Sequence, residues 1–145
     1  GPIYDENDNK IGEHNGATLY TKGQRHGLNI GGVKGKKELP WYVYDKNINN
    51  NKIYVCQGVN NKLLFSKSLE CESISWINDK KIKYPINCYL QVRHQHTPVK
   101  CVINKIKKGF KIIFDESIRG VAPGQSAVFY DDNICLGGGV ISKSI

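Results

Sequence analysis

Three short stretches of this chain hold side chains with chemistry to offer. Lys22-Gly23-Gln24-Arg25-His26-Gly27 places an ammonium, an amide, a guanidinium and an imidazole around two glycines. Arg, Gln and His carry donors suited to phosphate oxygens and base edges, and glycine lets backbone turn sharply beside a partner. On composition alone, a solvated surface turn is the plainer reading. Arg93-His94-Gln95-His96 closes an alternating run just before Thr97-Pro98. The alternation sets Arg93 and Gln95 on one face with Tyr89 and Gln91, a polar and aromatic surface of the kind RNA-binding barrels present. His94 and His96 share the other face, and no third ligand lies nearby in sequence to complete a metal site. The third stretch, Ala122-Pro123-Gly124-Gln125, is a Pro-Gly turn that feeds a strand.

Other features invite chemistry and do not support it. Gly137-Gly138-Gly139 lacks the Gly-Lys-[Ser/Thr] of a nucleotide loop and does not open a helix, so close backbone packing in a strand explains it better. Cys56, Cys71, Cys88, Cys101 and Cys135 are odd in number and include no Cys-x-x-Cys pair. They read as reduced thiols, with Cys88 and Cys101 as small buried hydrophobes in alternating runs. No Ser-His-Asp or Cys-His arrangement has local support. Lys105-Ile106-Lys107-Lys108 reads as a solvated hairpin tip.

The elements that must carry these residues are strands. Cys88, Leu90 and Val92 alternate with Tyr89, Gln91 and Arg93; Val99, Cys101 and Ile103 alternate with Lys100, Val102 and Asn104; Phe110, Ile112 and Phe114 alternate with Lys111, Ile113 and Asp115. Each is the period-2 signature of a half-buried strand. Thr97-Pro98, Lys107-Lys108-Gly109, Asp115-Glu116 and Ala122-Pro123-Gly124 separate the runs. With Ala127 to Tyr130 and Ile134 to Ile141, joined through a polar turn, they make five or six antiparallel strands, which close most simply into a small barrel. Upstream, Trp41 to Tyr44 and Lys52 to Cys56 read as two strands joined by the loop Asp45 to Asn51. Leu63 to Ile77 admits either a short helix or an edge strand.

At 145 residues the chain is one large domain or two small ones. Its net charge of +8 divides into +3 for residues 1–65 and +5 for residues 66–145, so neither half is a basic tail, and an anionic partner is consistent with the balance. No apolar run approaches the roughly 18 residues of a membrane span and no signal segment opens the chain, which predicts a cytoplasmic protein without a membrane partner. Gly1-Pro2 matches the scar of a cleaved tag and is set aside.

Taken in order, these motifs resemble the bacterial tRNA-specific 2-thiouridylases. Gly12-Glu13-His14-Asn15-Gly16 resembles that family's Gly-Glu-His-x-Gly, and Thr21 to Gly32 resembles its Thr-x-Gly-Gln-Arg-Lys-Gly-Leu-x-Ile-Gly-Gly. Pro40-Trp41-Tyr42-Val43, Gln57-Gly58, Trp76, the Cys88 to Cys101 spacing and the block Phe114 to Ile141 follow in the same order. The resemblance implies a mainly all-β chain. It divides into the scar at 1–2, part of a glycine-rich central domain at 3–65, a connecting segment at 66–86 and a C-terminal barrel at 87–145.

The same resemblance implies a function. In that family an N-terminal domain uses ATP to adenylate the wobble uridine, and a cysteine pair delivers persulfide sulfur. None of the five cysteines here matches those positions and no ATP loop is present, so the chain reads as catalytically incomplete, with ATP and the persulfide donor belonging to the parent. Its implied partners are the tRNA anticodon arm, the N-terminal catalytic domain and a sulfur-relay protein. Arg93 and His94 match the family's Arg-Tyr at the end of the first barrel strand, Gln125 matches its Pro-Gly-Gln glutamine, and Lys22, Gln24, Arg25 and His26 fall in its Gly-Gln-Arg-Lys-Gly segment. Departures occur at His94, Gln95 and His96, where the family runs Tyr-Arg-Gln, at His26, where it has Lys, and at Val59-Asn60-Asn61-Lys62, which replaces a His-rich turn. Two rival readings are a free-standing barrel that binds a protein, and an enzyme that uses one of these cysteines as a sulfur carrier.

Overall fold

The computed structural model describes residues 1–78, 82–92 and 97–145. It divides into two compact units, Gly1–Phe65 and Ser66–Ile145.

The first unit is a four-stranded sheet in the order β2-β1-β4-β3. Its strands are β1 (Pro2–Tyr4), β2 (Lys10–Glu13), β3 (Trp41–Asn47) and β4 (Lys52–Gln57). β1 runs antiparallel to β2 and parallel to β4, with Ile3 opposite Ile53. Gly1-Pro2, set aside in the sequence, takes part in this pairing, with Pro2 opposite Glu13. β3 and β4 form the expected hairpin, although β3 extends to Asn47 and shortens the joining loop. Ile3, Val43, Ile53, Val55, Ala17, Tyr20 and Leu28 make the core against one face. A smaller cluster of Tyr42, Cys56 and Leu64 lies apart from it.

Six strands of the second unit close on themselves: β7 (Ile86–Gln91), β8 (Val99–Ile106), β9 (Gly109–Arg119), β5 (Phe65–Cys71), β11 (Ile134–Ser144) and β10 (Ser126–Asp131), which pairs back to β7. A two-residue strand, β6 (Ser75–Trp76), adds to β11. The result is the expected antiparallel barrel with six strands, which leaves no open edge within the ring. Two details differ from the sequence reading. Residues 66–86 do more than connect, because β5 is the strand that joins β9 to β11 and closes the ring. Asp115-Glu116 does not end a strand, because β9 continues to Arg119 with Asp115 and Glu116 exposed and Ile118 returned to the core.

Alternation positions the barrel core as the sequence indicates. Cys88, Leu90, Cys101, Ile103, Ile112, Phe114, Ala127 and Phe129 are all buried, while Tyr89, Gln91, Lys100 and Lys111 occupy the other face. Trp76 packs against this core, 6.1 Å from Phe129 between ring centroids, and its Nε1–H donates to the Tyr84 hydroxyl at 3.2 Å. Glycines set how closely β11 approaches its neighbours. A Cβ at Gly139 would stand 2.5 Å from the Ser73 carbonyl oxygen, and one at Gly138 would stand 2.8 Å from that of Ala127. No helix among the described residues is long and apolar enough to cross a membrane.

Candidate nucleic-acid interface

The Lys22 to Gly27 segment is a loop tied down at both ends. Gly23 takes φ +91° and Gly27 φ +80°, a region costly for residues with a Cβ. The Gly23 N–H donates to the Val43 carbonyl at 2.7 Å and the Val43 N–H donates to the Gln24 carbonyl at 3.0 Å, so the loop lies alongside β3. Leu28 anchors the segment in the core, and the Tyr20 hydroxyl donates to the Gly27 carbonyl at 3.1 Å.

Within this frame the four polar side chains take different roles. The Gln24 amide is engaged in its own loop: its oxygen accepts from the Thr21 N–H at 3.1 Å and its nitrogen donates to the His26 carbonyl at 2.8 Å. That geometry has the Gln24 side chain bracing the loop. Arg25 and His26 are exposed on the part of the loop that Gln24 holds. Lys22 is half-buried, and desolvation pushes its ammonium below the ordinary lysine range against the opposing pull of Asp45.

Gln125 belongs to the other unit, in the turn before β10. Its side-chain oxygen accepts from the Ala122 N–H at 3.1 Å, its carbonyl accepts from the Ile141 N–H at 2.8 Å, and Gly124, at φ +91°, donates its N–H to the Ile141 carbonyl at 2.8 Å. The turn is therefore sewn to β11, and Gln125 is half-exposed. Arg93, His94, Gln95 and His96, and with them the tRNA-contact and paired-histidine readings at those positions, lie outside the described residues. The strand leading to them carries Tyr89, which stands opposite both Tyr130 on β10 and Lys100 on β8. Two aromatic side chains and a cation thus share one row of the outer face, beside Gln91 opposite Val128. Such a row offers stacking and phosphate neutralisation together.

The glycine run does not fit a triphosphate. Its backbone is packed against the carbonyls of Ser73, Ser75 and Ala127 inside a strand, so it has neither the open cradle nor the helix N-terminus that phosphate binding requires. Among the described residues no three His, Cys, Asp or Glu side chains are grouped to hold a metal ion.

Family motifs that the sequence offered without a role have structural ones. His14 accepts from the Gly16 N–H through Nδ1 at 3.0 Å, while Nε2 lies 2.8 Å from the Asn51 carbonyl oxygen. Gln57 donates to the carbonyls of Lys37 and Leu39 at 2.5 and 3.3 Å, and the Gly58 N–H donates to the Pro40 carbonyl, which fixes the chain entering β3.

Comparison with known proteins agrees with this division. Residues 66–141 match the model described as the aminomethyltransferase beta-barrel domain, and residues 1–57 match the tRNA methyl transferase PRC-barrel domain. The tRNA-specific 2-thiouridylase MnmA of Buchnera aphidicola subsp. Schizaphis graminum is 48% identical over 136 residues, covering 93% of this chain and 37% of that protein. The protein of the same name from Blochmanniella floridana is 44% identical over 144 residues, covering 99% and 39%, and that of Serratia proteamaculans is 39% identical over 146 residues, covering 100% and 40%. The chain belongs to the tRNA-specific 2-thiouridylase family. It spans about two-fifths of the length of these 2-thiouridylases.

Proposed function

We propose that this chain is the tRNA-holding portion of an ATP-dependent sulfurtransferase that makes 2-thiouridine at the wobble position of tRNA. The observation that carries this reading is the family match across both units, to relatives named for tRNA 2-thiolation. The exposed Arg25 and His26 on a braced loop, and the row of Tyr130, Tyr89 and Lys100, supply the donors and stacking faces that such a role needs. ATP and a persulfide donor serve the parent protein, whose N-terminal domain does the chemistry in the cytoplasm, with a sulfur-relay protein as a further partner.

Fluorescence anisotropy with a tRNA anticodon arm tests the reading. Binding is expected to be weak and to fall with salt, because few phosphates are neutralised. Arg93→Ala is expected to cost on the order of 1 kcal/mol and to flatten the salt slope by about one unit. Gln125→Ala weakens binding at unchanged slope, since an amide releases no counterion. Equal affinity of the wild type and the Arg93→Ala/Gln125→Ala variant at low salt would overturn the assignment and favour a protein partner. In a parallel assay with ATP, persulfide and unmodified tRNA, the chain alone forms no 2-thiouridine; turnover would favour the cysteine-enzyme alternative.

A further inference from the structure

Cys88 on β7 and Cys101 on β8 stand directly opposite each other in the barrel ladder. Both are free and buried, and their sulfurs are 3.7 Å apart in the described reduced state. Spacing alone concealed this, because thirteen positions separate the two residues in sequence. Directly opposed residues of an antiparallel pair have Cβ atoms about 4.5–5.5 Å apart and Cα atoms about as close, so a small approach of the strands brings them within disulfide reach.

The pair also differs from the other thiols electronically. A hydrogen bond shared between the two sulfurs, in which either can donate, draws Cys88 down and pushes Cys101 up, while burial in the apolar cluster and the nearby Asp131 and Asp115 oppose ionisation. Cys71, with no such partner, is pushed up to about 11 by burial.

We propose that Cys88 and Cys101 form a redox-active dithiol that a peroxide converts to an intrachain disulfide linking β7 to β8. The Cys88 thiolate attacks one peroxide oxygen. The O–O bond breaks, and the departing hydroxide leaves as water after taking a proton. Cys101, 3.7 Å away, then attacks the sulfur of the Cys88 sulfenic acid, forming the S–S bond as the S–O bond breaks and a second water departs. Two thiols lose two electrons and two protons, and one peroxide becomes two waters. The link crosses the β7–β8 ladder two rungs inside its end, where Leu90 pairs with Val99. The proposal itself does not depend on RNA binding.

The test treats the full chain with hydrogen peroxide under native conditions, blocks remaining thiols, and maps linked peptides by mass spectrometry without reduction. The titratable thiols are expected to fall from five to three, with one Cys88–Cys101 peptide and recovery of all five on adding dithiothreitol. Cys135→Ser, which removes the half-exposed thiol and any dimer through it, is expected to leave that peptide unchanged. Cys101→Ser abolishes it. Oxidation confined to Cys135, or a Cys88–Cys101 link that forms only in denaturant, would overturn the proposal, and the wild-type mapping decides even where Cys101→Ser does not fold.

Discussion

The imidazole of His14 lies 2.8 Å, through Nε2, from the carbonyl oxygen of Asn51 and binds the turn between β3 and β4 to the segment that follows β2. Since Nδ1 accepts from the Gly16 N–H, the proton resides on Nε2 and points at that carbonyl. Asn51 completes the joint: it sits at φ +52° and its side-chain oxygen accepts from the Ala17 N–H at 2.9 Å. His14→Ala removes both bonds, and because Asn51 is exposed and Gly16 half-buried, water replaces part of them, which leaves a cost of about 1–3 kcal/mol at about 0.5–1.5 kcal/mol for each bond. Urea unfolding followed by Trp41 fluorescence in a Trp76→Phe background reads the first unit alone. His14→Phe, which keeps a ring beside Tyr20, should be destabilised as well. Wild-type stability of His14→Phe would show that packing, and not the two hydrogen bonds, holds the joint.

The glycines of this chain divide into those packed against backbone and those that are not. Gly139→Ala must displace the Ser73 carbonyl, so it should destabilise the barrel by about 1–3 kcal/mol. Gly32→Ala meets nothing within 4 Å and should stay within about 0.5 kcal/mol of wild type. Melting followed by Trp76 fluorescence in a Trp41→Phe background measures the first, and the reverse pairing measures the second. An unaffected Gly139→Ala would mean that β6 and the turn before it are not held against β11.

The barrel was largely legible in the sequence because its inward residues at 88, 90, 101, 103, 112, 114, 127 and 129 are apolar while most of their neighbours, Val102, Ile113 and Val128 apart, are polar or aromatic. β5 was not. Two of its buried positions are Ser66 and Ser68, small polar residues that erase the apolar alternation, so the strand that closes the ring read as an undecided segment. At the candidate site, residue types and glycines located the loop, but only hydrogen-bond geometry separates Gln24, which braces, from Arg25 and His26, which are presented. The Cys88 and Cys101 pairing needs strand register, and a seven-residue connection does not fix one.

Asp5 gives the first unit an acid limit. Burial by itself would raise its pKa, but the N–H groups of Asn9 and Asn7, the Asn9 side chain and Lys36 together hold it below the ordinary 3.8. A carboxylate depressed in the folded state stabilises at pH above its unfolded value, and that contribution is lost as pH falls through the lower folded value. Stability should therefore be flat in Asp5 above about pH 5 and decline below 3.8. Asp5→Asn should be less stable at neutral pH and lose less on acidification. Parallel pH profiles for the two proteins would remove Asp5 as the source.

Gln24 and Arg25 adjoin in sequence and should fail in different ways. Arg25 is exposed, so Arg25→Ala should leave stability within about 0.5 kcal/mol while weakening anticodon-arm binding and flattening the salt slope by about one unit. Gln24→Ala removes two hydrogen bonds that hold the loop, at about 0.5–1.5 kcal/mol for each, and leaves every charge in place. It should weaken binding at unchanged salt slope, because Arg25 still neutralises its phosphate once the loop has been ordered at an added entropic cost. Hydrogen exchange supplies the readout that a direct contact would not move: the Thr21 amide, which donates to the Gln24 side chain, and the Val43 amide, which donates to its carbonyl, should exchange faster in Gln24→Ala without RNA present. Weakened binding with both amides as protected as in the wild type would mean that Gln24 touches the RNA itself, and the positioning role drawn from its two bonds would be wrong.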